Sequence, residues 1–216
     1  MGKISEDEKK KLASIIEEKG FYPVKSTEAF EKYLDNSIEG FKNNSLFSYI
    51  CGGEFDVNTV KALMCTSYSV VVNTAIAYAD SPELNSCAVW IPSGVFRDNF
   101  KDFFAAGGVS MFKNSGKLFT KRLLDYEKSV NNMKRNHTNH NDYYLFNYEC
   151  SPKVDSTELF SQMVKPVVDY AWNTGRTCYV ELSIEARINA LLKMGFHIAD
   201  KVRFPKEDIT VYGMMV

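Results

Sequence analysis

Tyr143-Tyr-Leu-Phe-Asn-Tyr-Glu-Cys-Ser-Pro152, the segment Ser156 to Thr174, and the short apolar run Cys178 to Leu182 together decide the fold. Tyr143 to Glu149 is dense in aromatic residues and of strand length. Ser156 to Thr174 repeats its apolar side chains at helical spacing, and Cys178 to Leu182 is again a strand. Two strands separated by a helix of that length cannot form a hairpin. They pair in parallel through a right-handed crossover.

Working outward, Glu185 to Met194 is read as a helix, and Phe196 to Phe204 and Ile209 to Met215 as two closing strands. Upstream, Leu12, Ile15 and Ile16 recur at helical spacing among the charges of Ser5 to Lys19, and Gly20 supplies a stop. Phe21 to Lys25 reads as a strand, followed by a helix capped by Ser26 or Thr27 and running through Phe30, Tyr33, Leu34, Ile38 and Phe41. Val57 to Ser67 is helical. Tyr68 to Ala79 and Cys87 to Ile91 are β-rich runs around the turn-forming Asp80-Ser81-Pro82-Glu83, which predicts a hairpin. Arg97 to Arg135 is helical with breaks near Gly107-Gly108 and Gly116, and the Asn- and His-rich tail Asn131 to Asp142 reads as an exposed loop.

The 216 residues are 45% hydrophobic and 13% aromatic, enough for a substantial core, which excludes a disordered chain or a coiled coil. Lys and Arg number 26 against 27 Asp and Glu, so the net charge of −1 gives no overall attraction to nucleic acid or an anionic membrane. The five cysteines, Cys51, Cys65, Cys87, Cys150 and Cys178, show no CxxC or Cys/His ligand spacing and are read as reduced thiols of a cytoplasmic protein. The charged N-terminus has no apolar h-region, so no secretory signal is expected, and no apolar run is long enough for a membrane span. The class is α+β.

These strings in this order resemble the GNAT superfamily of N-acetyltransferases. The resemblance is carried by Tyr143 to Pro152, a helix containing Lys165-Pro166, Tyr179-Val-Glu-Leu-Ser183 and Met194-Gly-Phe196. Ala88-Val-Trp-Ile-Pro92 looks like its third strand and Phe41 to Tyr49 like its second-helix region, so the match runs from about Tyr22 to Met215. It implies a mixed, mostly antiparallel sheet splayed between strands 4 and 5, with helices on both faces. Residues 21–216 would form the acetyltransferase domain and residues 1–20 an extra N-terminal helix. It also implies acetyl-CoA in the splay as cosubstrate and an amine acceptor as the second substrate. Unpaired strand groups would take the pantetheine arm, and a helix N-terminus the pyrophosphate.

On this sequence the cofactor-binding positions implied are Tyr148 and Cys150 on the fourth strand and Asp155, Ser156, Thr157, Glu158, Leu159, Phe160 and Ser161 in the phosphate loop. Ser183 and Asn189 would touch the CoA arm. The family usually carries Gln or Arg, two residues, Gly, one residue, then Gly or Ala. Here Asp155 to Phe160 places Glu158 and Phe160 at the glycine positions, and each acid would repel a pyrophosphate by about 1 kcal/mol at a partly exposed site. Asp155 as N-cap with Glu158 three residues later also reads as a capping box, which uses the same donors internally. The family's tyrosine acid, five residues before the Phe of Gly-Phe, corresponds to Leu191, which with Leu192 reads as core.

Candidate bases for deprotonating an amine are Glu149 and Glu181, with Tyr144 as a possible relay. Strand alternation puts Tyr144 and Tyr148 on one face. His137 and His140 have a metal-compatible spacing but lack a third ligand, so no metal is expected. Lys117 to Arg135 holds six basic and two acidic residues, a solvated face or an anion-attracting one. Two functions follow: an acetyl-CoA-dependent N-acetyltransferase acting on a small-molecule or peptide amine, or a catalytically impaired acyl-CoA-binding or protein-interaction module of the same fold.

Overall fold

The computed structural model describes residues 4–92, 100–139, 141–154, 156–204 and 208–216. Within them run α1 (Glu6–Glu18), β1 (Tyr22–Pro23), α2 (Thr27–Phe41), α3 (Ser45–Cys51), α4 (Val57–Val71), β2 (Ile76–Ala79), β3 (Ser86–Pro92) and α5 (Phe100–Phe103). A π-helical turn, Phe104–Gly108, leads into α6 (Val109–His137), followed by β4 (Asp142–Cys150), α7 (Thr157–Asn173), β5 (Thr177–Leu182), α8 (Glu185–Lys193), β6 (His197–Phe204) and β7 (Ile209–Met215). The strands form one sheet in the order β1-β2-β3-β4-β5-β7-β6. Every neighbouring pair is antiparallel except β4 and β5, which run parallel across α7 as the sequence predicts.

Alternation along β3 builds a core on each face of the sheet. Ala88 and Trp90 face α1, α7 and α8, where they meet Leu12, Ile16, Tyr143, Phe160, Val164, Leu191 and Phe196. Cys87, Val89 and Ile91 face α2 and α4, against Phe30, Tyr33, Leu34, Val60 and Tyr68. The Trp90 indole donates to the Tyr78 hydroxyl at 3.1 Å, and Tyr78 donates to the Met163 carbonyl, tying β3, β2 and α7 together.

Helix α1 starts on a capping box: the Ser5 hydroxyl accepts from the Glu8 amide at 3.2 Å and the Glu8 carboxylate accepts from the Ser5 amide at 2.8 Å. The same carboxylate receives Arg176 Nη2 at 2.7 and 2.9 Å, and Tyr170 donates to the Glu8 carbonyl at 3.4 Å. Thus α1 is docked on the C-terminal end of α7.

Three sequence expectations change. Helix α4 continues to Val71 through the β-branched run assigned to a strand, because Tyr68 falls on the buried face, stacks on Phe30 at 4.0 Å and donates to the Val24 carbonyl at 2.8 Å. Packing overrides local propensity there. Helix α6 persists to His137 through the segment read as a loop, since Val130 and Met133 pack against Ile209 and Val211 while the asparagines take outward or intermediate positions. Leu192 is 44% exposed rather than core. The breaks expected at Gly107 and Gly116 are present, with φ of 106° and 83°.

One glycine matters for the site. A Cβ at Gly40 of α2 would lie 2.0 Å from the Cys150 carbonyl oxygen, so only glycine lets α2 rest on the end of β4. Gly40→Ala is expected to destabilise the protein by about 3 kcal/mol, read as a lowered urea midpoint with an unchanged m-value.

Candidate active site

β4 and β5 are joined only where Asp142, Tyr143, Tyr144 and Leu145 pair with Thr177, Cys178, Tyr179 and Val180. Beyond Val180 the β5 residues Glu181 and Leu182 continue to pair with β7, at Gly213 and Tyr212, while β4 from Phe146 onward stays with β3. The cause is local. Val89 pairs with Asn147 and Trp90 with Leu145, so Phe146 is an extra residue in β4, a β-bulge that bends the strand and raises its twist. The splay expected between the fourth and fifth strands therefore forms.

The extra residue also reverses side-chain parity. Tyr144 turns toward α6 and Glu181, whereas Tyr148 turns to the opposite core, its ring edge-on to Phe160 at 4.9 Å. The single face expected for Tyr144 and Tyr148 is not observed, because alternation fails across a bulge.

A cleft of about 120 Å³ opens in the splay. Tyr148, Phe160, Ile184 and Arg187 line one part of it, and Phe41, Phe47, Phe146, Tyr126 and Glu181 another. Arg187, from α8, lies along the free edge of β4. Its Nη1 donates to the Tyr148 carbonyl at 3.3 Å and to Glu149 Oε2 at 3.2 Å, and its Nη2 is bonded to Glu149 Oε1. The guanidinium also sits 4.9 Å above the Tyr148 ring and 5.8 Å from that of Phe160. Glu149 is 3% exposed and further accepts from the Cys150 amide at 3.2 Å. Its carboxylate is thus committed to an ion pair. Tyr33 completes this end of the strand, donating to the Glu149 carbonyl at 3.3 Å and accepting from Asn147 at 3.2 Å.

Glu181 has different surroundings. Tyr144 donates to its Oε2 at 2.8 Å, whereas Oε1 is buried without a hydrogen-bond partner among the described residues. Tyr179 stands beside the carboxylate, its own hydroxyl outside hydrogen-bonding geometry. Burial pushes the Glu181 carboxyl up to about 7, opposed mainly by the Lys134 charge and the Tyr144 hydrogen bond. A carboxyl so placed exchanges a proton near neutral pH.

At the start of α7 the cap is Ser156, whose hydroxyl accepts from the Leu159 amide at 2.9 Å. The capping box expected from Asp155 and Glu158 is replaced: Glu158, one position too early for it, accepts from Gln162 at 3.0 Å, and Asp155 lies outside the described residues. Thr157 and Glu158 are exposed, Ser161 donates to the Thr157 carbonyl at 2.8 Å, and Phe160 is turned into the core. First-turn amides at Thr157 and Glu158 are what this helix end offers an anion. Ser183 lines the cleft and donates to Asn44 at 3.2 Å, Cys150 is a buried thiol, and Asn189 is exposed away from the lining. Leu191 is fully buried.

His137 faces Asp200 at 3.3 Å, and His140 lies outside the described residues. No cluster of three metal-ligating side chains occurs among the described residues, and none of their helices is long and apolar enough to cross a membrane.

No family model matches the chain, and no curated protein matches it by sequence. Solved structures do. The C-terminal condensation domain of Ebony, in complex with beta-alanyl-dopamine, superposes with a TM-score of 0.64 at 8% identity, covering 91% of this chain and 97% of that one. Arylalkylamine N-acetyltransferase 2 from Aedes aegypti gives 0.59 at 9% identity over 91% and 97%. The Drosophila melanogaster polyamine N-acetyltransferase gives 0.56 at 12% over 91% and 98%. This chain has the fold of the GNAT N-acetyltransferases, in a divergent form.

The Arg187–Glu149 pair was not legible in the sequence, where Arg187 is one basic residue on an ordinary amphipathic helix. Removing Arg187 strands a buried carboxylate, so Arg187→Met should cost about 3 kcal/mol. Much of that loss should be recovered in the Glu149→Gln/Arg187→Met double variant, as read from a double-mutant cycle of urea midpoints.

Proposed function

We propose that this chain is an acetyl-CoA-dependent N-acetyltransferase that passes an acetyl group directly to the amine of a small molecule or peptide. One observation carries the reading: a cleft at a diverging strand pair of a GNAT fold contains a half-buried glutamate, Glu181, with one carboxylate oxygen out of reach of solvent and a proton affinity suited to neutral pH. The chain's residues fit an acyl-CoA by their placement. The edge of β4 that turns away from β3 at Tyr148 and Cys150 would hold the arm in exchange for its present contacts, and the amides of Thr157 and Glu158 the pyrophosphate, with the Glu158 carboxylate drawn toward Gln162. When bound, acetyl-CoA supplies a thioester carbonyl open to attack by an amine.

Glu181 is the base in this reading. An alkylammonium has a pKa of about 10.4 and must lose a proton before it can attack. Glu181, ionised above about 7, takes that proton, and Tyr144 fixes the carboxylate through Oε2. Phe41, Phe47, Phe146 and Tyr126 make the cleft wall beside it aromatic. Glu149, paired with Arg187, holds the strand edge instead. With Leu191 in the acid's usual place, catalysis relies on orientation and proximity. Residues 21–216 form the acetyltransferase unit, with α1 of the preceding segment docked on α7. All five cysteines are free thiols, which fits a reducing compartment such as the cytoplasm.

A second reading, a catalytically impaired acyl-CoA-binding or protein-interaction module, is favoured by Arg187, which already occupies the Tyr148 carbonyl on the strand edge. The fold itself does not name the donor, since it also houses the Ebony condensation domain. Calorimetry with acetyl-CoA followed by an assay of released thiol with a panel of amines separates the two. Binding with turnover supports the enzyme; binding without turnover supports the module; an absence of both removes the acyl-CoA reading.

The pH dependence gives a further check. kcat/KM should rise as pH passes upward through about 7, and Glu181→Gln should lower it by about 100-fold. Because folding raises the Glu181 pKa from 4.5, its favourable contribution is present below that value and is lost as pH rises through about 7. Thermal melts of Glu181→Gln should therefore gain on the wild type at pH 8 relative to pH 5.

A further inference from the structure

A buried lysine stands behind the Glu181 carboxylate. Lys134, in the last turn of α6, is 7% exposed, and its Nζ lies 4.5 Å over the ring of Tyr144. The hydroxyl of that same tyrosine donates to Glu181 Oε2. Cation, ring face, hydroxyl and carboxylate thus follow one another from α6 through β4 to β5. Each contact favours the next: an ammonium over a ring is held by the ring's negative face and makes the phenol a better donor, and a donated hydrogen bond favours the anion that accepts it.

The titratable groups that face Glu181 are Tyr126, Glu127 and Lys134 from α6, Tyr144 from β4 and Tyr179 from β5, with Asp200 of β6 acting on Tyr179. In that set Lys134 is the cation, and Glu127 opposes it. Neither Lys134 nor Tyr144 belongs to the cleft lining, whereas Tyr126 and Glu181 do. We propose that Lys134 is a positioning residue of the acetyl-transfer site, acting on Glu181 by its charge and by its hold on the ring of Tyr144, whose hydroxyl fixes the carboxylate. The inference rests on reading Glu181 as the base of that site.

Removing the cation leaves a half-buried carboxyl under desolvation and the repulsion of Glu127, so its proton is held to higher pH. The test is a carboxyl-carbon NMR titration of the ligand-free protein labelled in glutamate, with Glu181→Gln assigning the resonance. Lys134→Met should move the Glu181 midpoint upward by about one pH unit, a tenfold gain in proton affinity, and Lys134→Arg should return it toward the wild type. Tyr144→Phe, which keeps the ring and deletes the donor, should also move it upward, and Lys134→Gln serves if Lys134→Met does not fold. In assays, the acid limb of kcat/KM should move with the NMR midpoint while the KM for acetyl-CoA holds. A folded Lys134→Met protein with an unchanged midpoint, or a Tyr144→Phe protein with one, overturns the proposal. Full activity in Glu181→Gln would overturn the base reading instead, and the titration would still report on the coupling.

Discussion

The extra residue in β4 is the constraint on which the site depends. Phe146 breaks the register between β3 and β4, and from that point β4 follows β3 while β5 follows β7. The divergence leaves strand groups facing a cleft in place of a neighbouring strand. It also sends Tyr144 and Tyr148 to opposite faces of the sheet, so the two sides acquire different chemistry. Around Tyr148 the walls are aromatic and a guanidinium is bonded to the backbone. Around Tyr144 the feature is a carboxylate poised between protonation states.

An open strand edge inside a protein is costly, since each unpaired polar group loses water without gaining a partner. Arg187 answers that cost by bonding the Tyr148 carbonyl, but it brings a charge with it, and Glu149 neutralises the charge. Any ligand that pairs with this edge therefore competes with an interaction already made. A ligand there has to supply an equivalent donor for the carbonyl, and the ion pair has to remain satisfied when the guanidinium moves.

Much of the architecture was legible because β4, α7 and β5 are each strongly patterned, and strand-helix-strand order constrains their pairing. The helix breaks at Gly107 and Gly116 were legible for the same kind of reason, a residue type with one conformational meaning. What escaped was set by tertiary contact. Tyr68 to Val71 has strand composition, yet Tyr68 is held in a helix by Phe30 and Val24. Asn131 to His137 has loop composition, yet Val130 and Met133 anchor it. In the site, Glu181 and Tyr144 were visible as residue types on strands, but no glycine marks the bulge at Phe146, so the face of Tyr148 was misassigned. Lys134 and Arg187 look like ordinary surface bases, and only burial distinguishes them. At the α7 cap, Asp155 and Ser156 are both good cap residues, and the helix begins one residue later than the box pattern suggested.

The first helix carries an economy of its own. Glu8 closes the capping box that starts α1 and is also the acid that Arg176 grips, so nucleation of the helix and its attachment to α7 share one carboxylate. The amide of Ser5 and the Arg176 guanidinium hold that carboxyl below its usual range. Its contribution is therefore present above the unfolded pKa of 4.5 and lost as pH falls through the depressed folded value. Fraying and undocking of this segment thus become a single event, and acid weakens both together, with amide exchange quickening along the whole of α1.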